Sequence, residues 1–141
     1  MDGRVPVEAA FDQDVGAVAV IRSAGHTLDR AMLGSVDVAV TVLNVNAVLV
    51  LGHTDCAAVR ETVDALRSGH RPDGAAGHVI EQIAPAVREA GEHAPVDEII
   101  RQHVRLTVER LRRSVHLPHG DTMAVAGAVY DLDTGRVSPL D

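Results

Sequence analysis

Lysine and tryptophan are missing from this 141-residue sequence, and cysteine, phenylalanine and tyrosine occur once each. A lone cysteine excludes an intrachain disulfide. Two aromatic rings make neither a platform for stacking bases nor an aromatic belt at a membrane interface. The 13 basic side chains, all arginine, face 20 acidic ones, for a formal net charge of −7. A phosphate-backbone binder concentrates positive charge instead, so no nucleic-acid partner is expected. No window approaches the ~18 apolar residues of a spanning helix, and the opening MDGRVPVEAA has no apolar signal-peptide core. The expectation is a cytoplasmic chain with no membrane partner.

What the sequence does have is aliphatic material: 46% of its residues are hydrophobic. That is enough to bury a sizeable core in one domain spanning residues 1–141. The core must be built of Val and Ile, which favour strands, and Ala and Leu, which favour helices, so a mixed α/β chain is expected.

Residues 17–21 (AVAVI) form a short apolar run between Gly16 and the polar R-S-A-G that follows, and read as a buried strand. Asp29 can cap a helix in which Met32, Leu33, Val36, Ala39, Val40 and Leu43 recur at helical spacing up to Asn44. Residues 47–51 (AVLVL), between Asn46 and Gly52, read as a second buried strand parallel to the first. Helical patterns follow from Ala57 to about Arg67, from about His78 to Ala90 with a kink expected at Pro85, and from Pro95 to the Arg112-Arg113 end. Residues 123–130 (MAVAGAVY) lead through D-L-D-T-G into Arg136-Val137 as a hairpin-like close. The fold class is thus α/β, a mostly parallel sheet flanked by helices. In such sheets ligands sit beyond the carboxyl ends of strands, here the loop G-H-T-D-C.

In that loop His53 and Cys56 stand three residues apart, a spacing at which a turn can bring both onto one soft divalent ion such as zinc. An isolated H-x-x-C reads first as a small buried thiol beside a backbone-satisfied imidazole. A thiolate nucleophile with His53 as its base is a further reading, without an identifiable orienting third group. Asp2 and Arg4 flank Gly3, and taken alone would be solvated charges at a frayed terminus. His70, His78, His93, His103, His116 and His119 are scattered, and a solvated or core role is expected for each.

Five ordered motifs give these residues context: D-G-R-V-P-x-E-x-x-F-D-Q from Asp2, R-S-A-G-H from Arg22, L-G-S from Leu33, V-L-G-H-T-D-C from Val50, and G-A-V-Y-D-L-D-T-G from Gly127. Together they resemble the β class of carbonic anhydrases over nearly the whole chain, from Asp2 to Val137. The resemblance implies a zinc protein that hydrates CO₂ reversibly to bicarbonate, the zinc held in that family by a Cys-x-Asp-x-Arg motif and the His-x-x-Cys loop. His53 and Cys56 match two ligands, and Asp2 and Arg4 match the dyad beside the metal. The first ligand cysteine has no counterpart, its place falling immediately before Met1; the family's first strand, amino-terminal helices and an upstream glutamine are likewise unmatched. Asp2 is the candidate third ligand. Phe11 matches an apolar pocket residue, Val38 stands where a pocket tyrosine is usual, His26 stands where an asparagine is common and is read as pocket wall, and Ala57 replaces a glycine. A homodimer or tetramer is expected. The alternatives are a catalytically silent assembly subunit pairing with a full-length relative, or the same chemistry on another linear molecule such as COS or CS₂.

Overall fold

A computed structural model describes residues 2–70, 72–91, 93–114 and 123–141; the candidates His116 and His119 lie outside them. The chain order is α1 (Val7–Ala10), a 3-10 turn (Ala24–His26), α2 (Arg30–Thr41), β1 (Ala47–His53), α3 (Ala57–Ser68), α4 (Ala75–Ala90), α5 (Val96–Ser114), β2 (Ala124–Tyr130) and β3 (Val137–Leu140). The strands form one sheet in the order β1-β2-β3. β1 runs parallel to β2, pairing Val50 with Gly127 and His53 with Tyr130, and β3 returns antiparallel. The α/β class is as expected, with a small mixed sheet.

Local chemistry accounts for the helix ends. The Asp29 carboxylate accepts from the Met32 backbone N–H at 2.9 Å and starts α2, as an N-cap should. Gly69 takes the left-handed conformation that closes α3. Asp97 and Glu98 open α5, and Arg112 and Arg113 end it, each complementing the helix dipole.

The core lies where α5 crosses β1 and β2 with α3 and α4 packed behind it. Ile99, Ile100, His103, Val104, Thr107, Val108 and Leu111 form the buried stripe of α5, at the i, i+4, i+8 spacing of one helix face. Close approach depends on two glycines. A Cβ at Gly52 or at Gly127 would lie 2.7 Å from a methyl group of Val104, so helix and sheet could not keep their present distance with any larger residue.

Three expectations need correcting. Residues 17–21 are not a strand: they join no ladder, and β1 pairs with β2 on one side only. An apolar run becomes a strand only where a second backbone meets its polar groups, and none is beside this one among the described residues. α2 stops at Thr41 rather than Asn44, which adopts a positive φ. α4 begins at Ala75 and continues through Pro85, which sits on its exposed side.

Candidate functional site

β1 ends at His53 and α3 begins at Ala57, so the turn between them lies beyond the carboxyl end of a parallel strand. It is pinned to the end of β2: Thr54 N–H donates to the Tyr130 carbonyl at 3.0 Å, and Leu132 N–H donates to the Thr54 hydroxyl at 3.0 Å. Asp55, at φ +53, turns the chain so that Cys56 precedes the first turn of α3.

His53 Nδ1 donates to the Thr54 carbonyl at 2.8 Å, which places the neutral ring's proton on Nδ1 and leaves Nε2 as a bare acceptor. Nε2 lies 3.8 Å from Asp2 Oδ2, and the ring hydrogen-bonds the Cys56 side chain, which together with other contacts raises its pKa. Burial pushes the Cys56 thiol up, but the hydrogen bond with His53 and those from backbone N–H groups of Val59 and Ala58 outweigh it, and the net direction is down. A buried thiol inclined toward thiolate beside an imidazole is the chemistry of a soft-metal ligand pair or a nucleophile.

Asp2 and Arg4 form a fork. Arg4 Nη2 and Nε donate to the Asp2 carboxylate at 2.6 to 3.1 Å, and the Arg4 backbone N–H does so at 2.9 Å. These bonds hold the Asp2 carboxyl well below the usual carboxylate range. Arg4 Nη1 also reaches Asp55 Oδ2 at 3.1 Å, and Asp55 in turn pairs with Arg60 at 2.6 Å. Arg22 ties this segment down, donating to the carbonyls of Asp2 and Val5 at 3.0 and 2.7 Å.

Asp2, Phe11, His26, His53 and Cys56 line one cleft of about 880 Å³. Val38 does not: it lies on the solvent side of α2, 52% exposed, while Val36 and Ala39 turn inward. Two residues along a helix is a rotation of about 200°, which carries Val38 to the face opposite Val36. His26 stacks on His103 of α5, ring centroids 4.2 Å apart. His103 Nε2 donates to the Gly25 carbonyl at 2.7 Å, and His26 Nδ1 meets the Thr107 hydroxyl at 3.2 Å. Asp55, Arg22 and His103 are the partners that sequence reading missed. Only for Asp55 was there a cue, its place inside the His-x-x-Cys loop.

The donor set fits zinc in part. His53 and Cys56 supply a borderline nitrogen and a soft sulfur on adjoining positions. Asp2 is engaged by Arg4 instead, and among the described residues no three His, Cys, Asp or Glu side chains converge closely enough to hold a metal ion. Among the described residues the arrangement thus brings together two donors, His53 and Cys56, of the three protein ligands a catalytic zinc site commonly has.

A sequence profile described as carbonic anhydrase matches residues 1–137. A carbonic anhydrase of Mycolicibacterium smegmatis is 43% identical over 96% of this chain and 69% of its own length. Carbonic anhydrase 2 of Mycobacterium tuberculosis is also 43% identical, over 96% of this chain and 68% of its own length. Among solved structures, the β-carbonic anhydrase of Coccomyxa in complex with acetazolamide superposes with a TM-score of 0.84 at 22% identity, covering 99% of this chain and 68% of that one. A tetrameric β-carbonic anhydrase of Sordaria macrospora superposes at 0.76, with 20% identity, covering 99% of this chain and 76% of that one. The chain belongs to the β-class carbonic anhydrase family.

Proposed function

We propose that this domain serves the CO₂–bicarbonate chemistry of its family, with His53 and Cys56 as zinc ligands and Asp2 and Arg4 as the charged pair beside the metal. The observation that carries the reading is the meeting of four groups at one end of an apolar cleft. A thiol of lowered pKa and an imidazole with a bare Nε2 stand next to a carboxylate locked to a guanidinium. Zinc, when bound, supplies an acidified water and a Lewis acid for a small linear substrate. The protein's own part is positional. The Thr54 carbonyl fixes the His53 tautomer, the α3 backbone favours the Cys56 thiolate, and Arg4 holds the Asp2 carboxylate ionised within reach of the site. A third protein donor requires Asp2 to exchange Arg4 for the metal. The apolar outer side of α2 and its C-cap, with Val38 and Val42 exposed, is the surface we assign to a second subunit in a dimer or tetramer.

The engagement of Asp2 by Arg4 favours one further reading, a catalytically silent subunit that assembles with a full-length relative. Zinc content after exhaustive dialysis, measured with CO₂ hydration by indicator stopped flow, separates the two. The enzyme reading expects retained zinc and measurable hydration, both lost in Cys56→Ser and in His53→Ala. Zinc-free protein with no hydration, indistinguishable from Cys56→Ser, would leave only the silent subunit.

A further inference from the structure

The Arg4 guanidinium is shared between two carboxylates from distant parts of the chain. Its Nε and Nη2 face Asp2, two residues away, at 2.6 to 3.1 Å. Its Nη1 reaches Asp55 Oδ2 at 3.1 Å and its Nη2 the Asp55 carbonyl at 3.4 Å, across 51 positions of sequence. Asp55 is itself held from the far side, its Oδ1 pairing with Arg60 of α3 at 2.6 Å. The four side chains alternate in sign, Asp2, Arg4, Asp55 and Arg60, and the third of them sits in the turn from β1 to α3, between His53 and Cys56. Two features separate the hold of Asp55 from that of Asp2. The Arg4 backbone is fixed without either carboxylate, because Arg22 donates to the carbonyls of Asp2 and Val5 on both sides of it, and Val5 is buried. Asp55 sits at φ +53, where glycine carries no steric cost, so the turn alone does not call for a carboxylate.

We propose that Asp55 is a positioning residue: it seats Arg4 on the His-x-x-Cys turn, so that the Asp2 carboxylate can turn from Arg4 to the metal while the guanidinium keeps an anionic partner and its place. The inference rests on the reading of Asp2, His53 and Cys56 as facing one metal. A guanidinium carries its N–H donors in a planar fork that can serve two carboxylates on different edges, and Asp55 takes the edge that Asp2 leaves open. The move is short, for Asp2 Oδ2 already lies 3.8 Å from His53 Nε2. Without Asp55, Asp2 is the only carboxylate on Arg4 among the described residues, and turning to the metal leaves the guanidinium with none. Arg4 and Asp55 are about half exposed, at 52% and 48%, so their pairing contributes little to folding. Its effect lies in where the guanidinium stands.

The test compares the full chain with Asp2→Ala, Asp55→Gly and the double variant, amide exchange in α5 serving as the check on folding. Glycine suits the positive φ at position 55. A metal-free arm reads rotation of the Arg4 guanidinium by nitrogen-15 NMR, in which the two Nη resonances stay separate only while the group is held. Separate resonances are expected in Asp2→Ala and a merged one in the double variant. Merging already in Asp2→Ala, or separation that persists in the double variant, would overturn the seat. A metal arm titrates Co²⁺ through its thiolate absorption. Asp55→Gly should weaken Co²⁺ binding about fivefold more in the chain that has Asp2 than in Asp2→Ala, a coupling that a merely structural role would not produce. An equal change in both backgrounds would overturn the proposal. Absence of thiolate absorption from all four chains would refute the metal reading instead, and the Arg4 resonances would still decide the seat.

Discussion

Two regions of this molecule are built to different standards. From β1 onward, α3, α4 and α5 pack on one another and on β1 and β2, and Ile83, Ile99 and Val104 are fully buried. Before β1, residues 2–46 include two short helical pieces and α2, and several large apolar side chains there face solvent, among them Val20, Val38, Val42 and Leu43. The candidate site straddles the boundary. His53 and Cys56 belong to the packed region and are positioned by β1, β2 and α3. Asp2 and Arg4 belong to the open region and are held by Arg22 and Asp55. The difference explains why the two proposed zinc ligands are fixed while Asp2 is turned away: rigid elements hold His53 and Cys56, whereas a segment held mainly by exposed ion pairs directs the Asp2 carboxylate to Arg4.

Truncation mutants expose the contrast most strongly. Ile83→Ala in the packed region should cost about 2–5 kcal/mol, from lost burial plus a cavity, while Val42→Ala, at the C-cap of α2, should stay within about 0.5 kcal/mol. Equal losses in urea titrations would erase the distinction between the regions. Adding atoms sharpens it from the other direction. Gly127→Val drives a side chain into Val104 and should cost about 1–3 kcal/mol by overpacking. Gly34→Ala in α2, where a Cβ meets nothing within 4 Å, should gain up to about 1 kcal/mol from helix propensity.

The stacked imidazoles join the two regions, His26 coming from one and His103 from the other. Burial pushes both down, His26 well below its ordinary 6.5 and with His103 acting in the same direction. A lowered folded-state pKa means that the unfolded chain takes up protons first as pH falls. Stability is therefore intact above pH 6.5 and declines below it, by up to about 1 kcal/mol per imidazole between pH 7 and 5.5. His26→Asn should flatten that dependence in urea midpoints measured across the range, and an unchanged slope would show that the pair does not carry it. The smallest effect belongs to the exposed ion pairs. Asp55→Asn, which keeps a residue tolerant of positive φ, should shift stability by less than about 1 kcal/mol although it removes the charge that faces both Arg4 and Arg60.

Legibility from sequence followed the same divide. The packed region announced itself: helical periodicity marked α3, α4 and α5, the AVLVL run marked β1, and the H-x-x-C spacing marked the turn after it. In the open region Asp29 correctly signalled α2, but AVAVI misled, because an apolar run states a side-chain preference and says nothing of whether another backbone lies alongside. Helix phase was the omission at Val38. The links that complete the site, Arg22 to Asp2, Asp55 to Arg4 and His103 to His26, depend on turns and on contacts across long stretches of chain, which no local pattern encodes.

The central claim is that the site's metal donors are divided, with one imidazole and the chain's single thiolate fixed in the packed region and any remaining protein donor drawn from the open one. X-ray absorption of the zinc-loaded, dialysed chain and of Asp2→Ala addresses it most directly. The account predicts one sulfur at ~2.3 Å per zinc with nitrogen and oxygen at ~2.0–2.2 Å, and a loss of zinc occupancy in Asp2→Ala. A shell of nitrogen and oxygen alone, or two sulfurs per zinc from a chain with one cysteine, would contradict it.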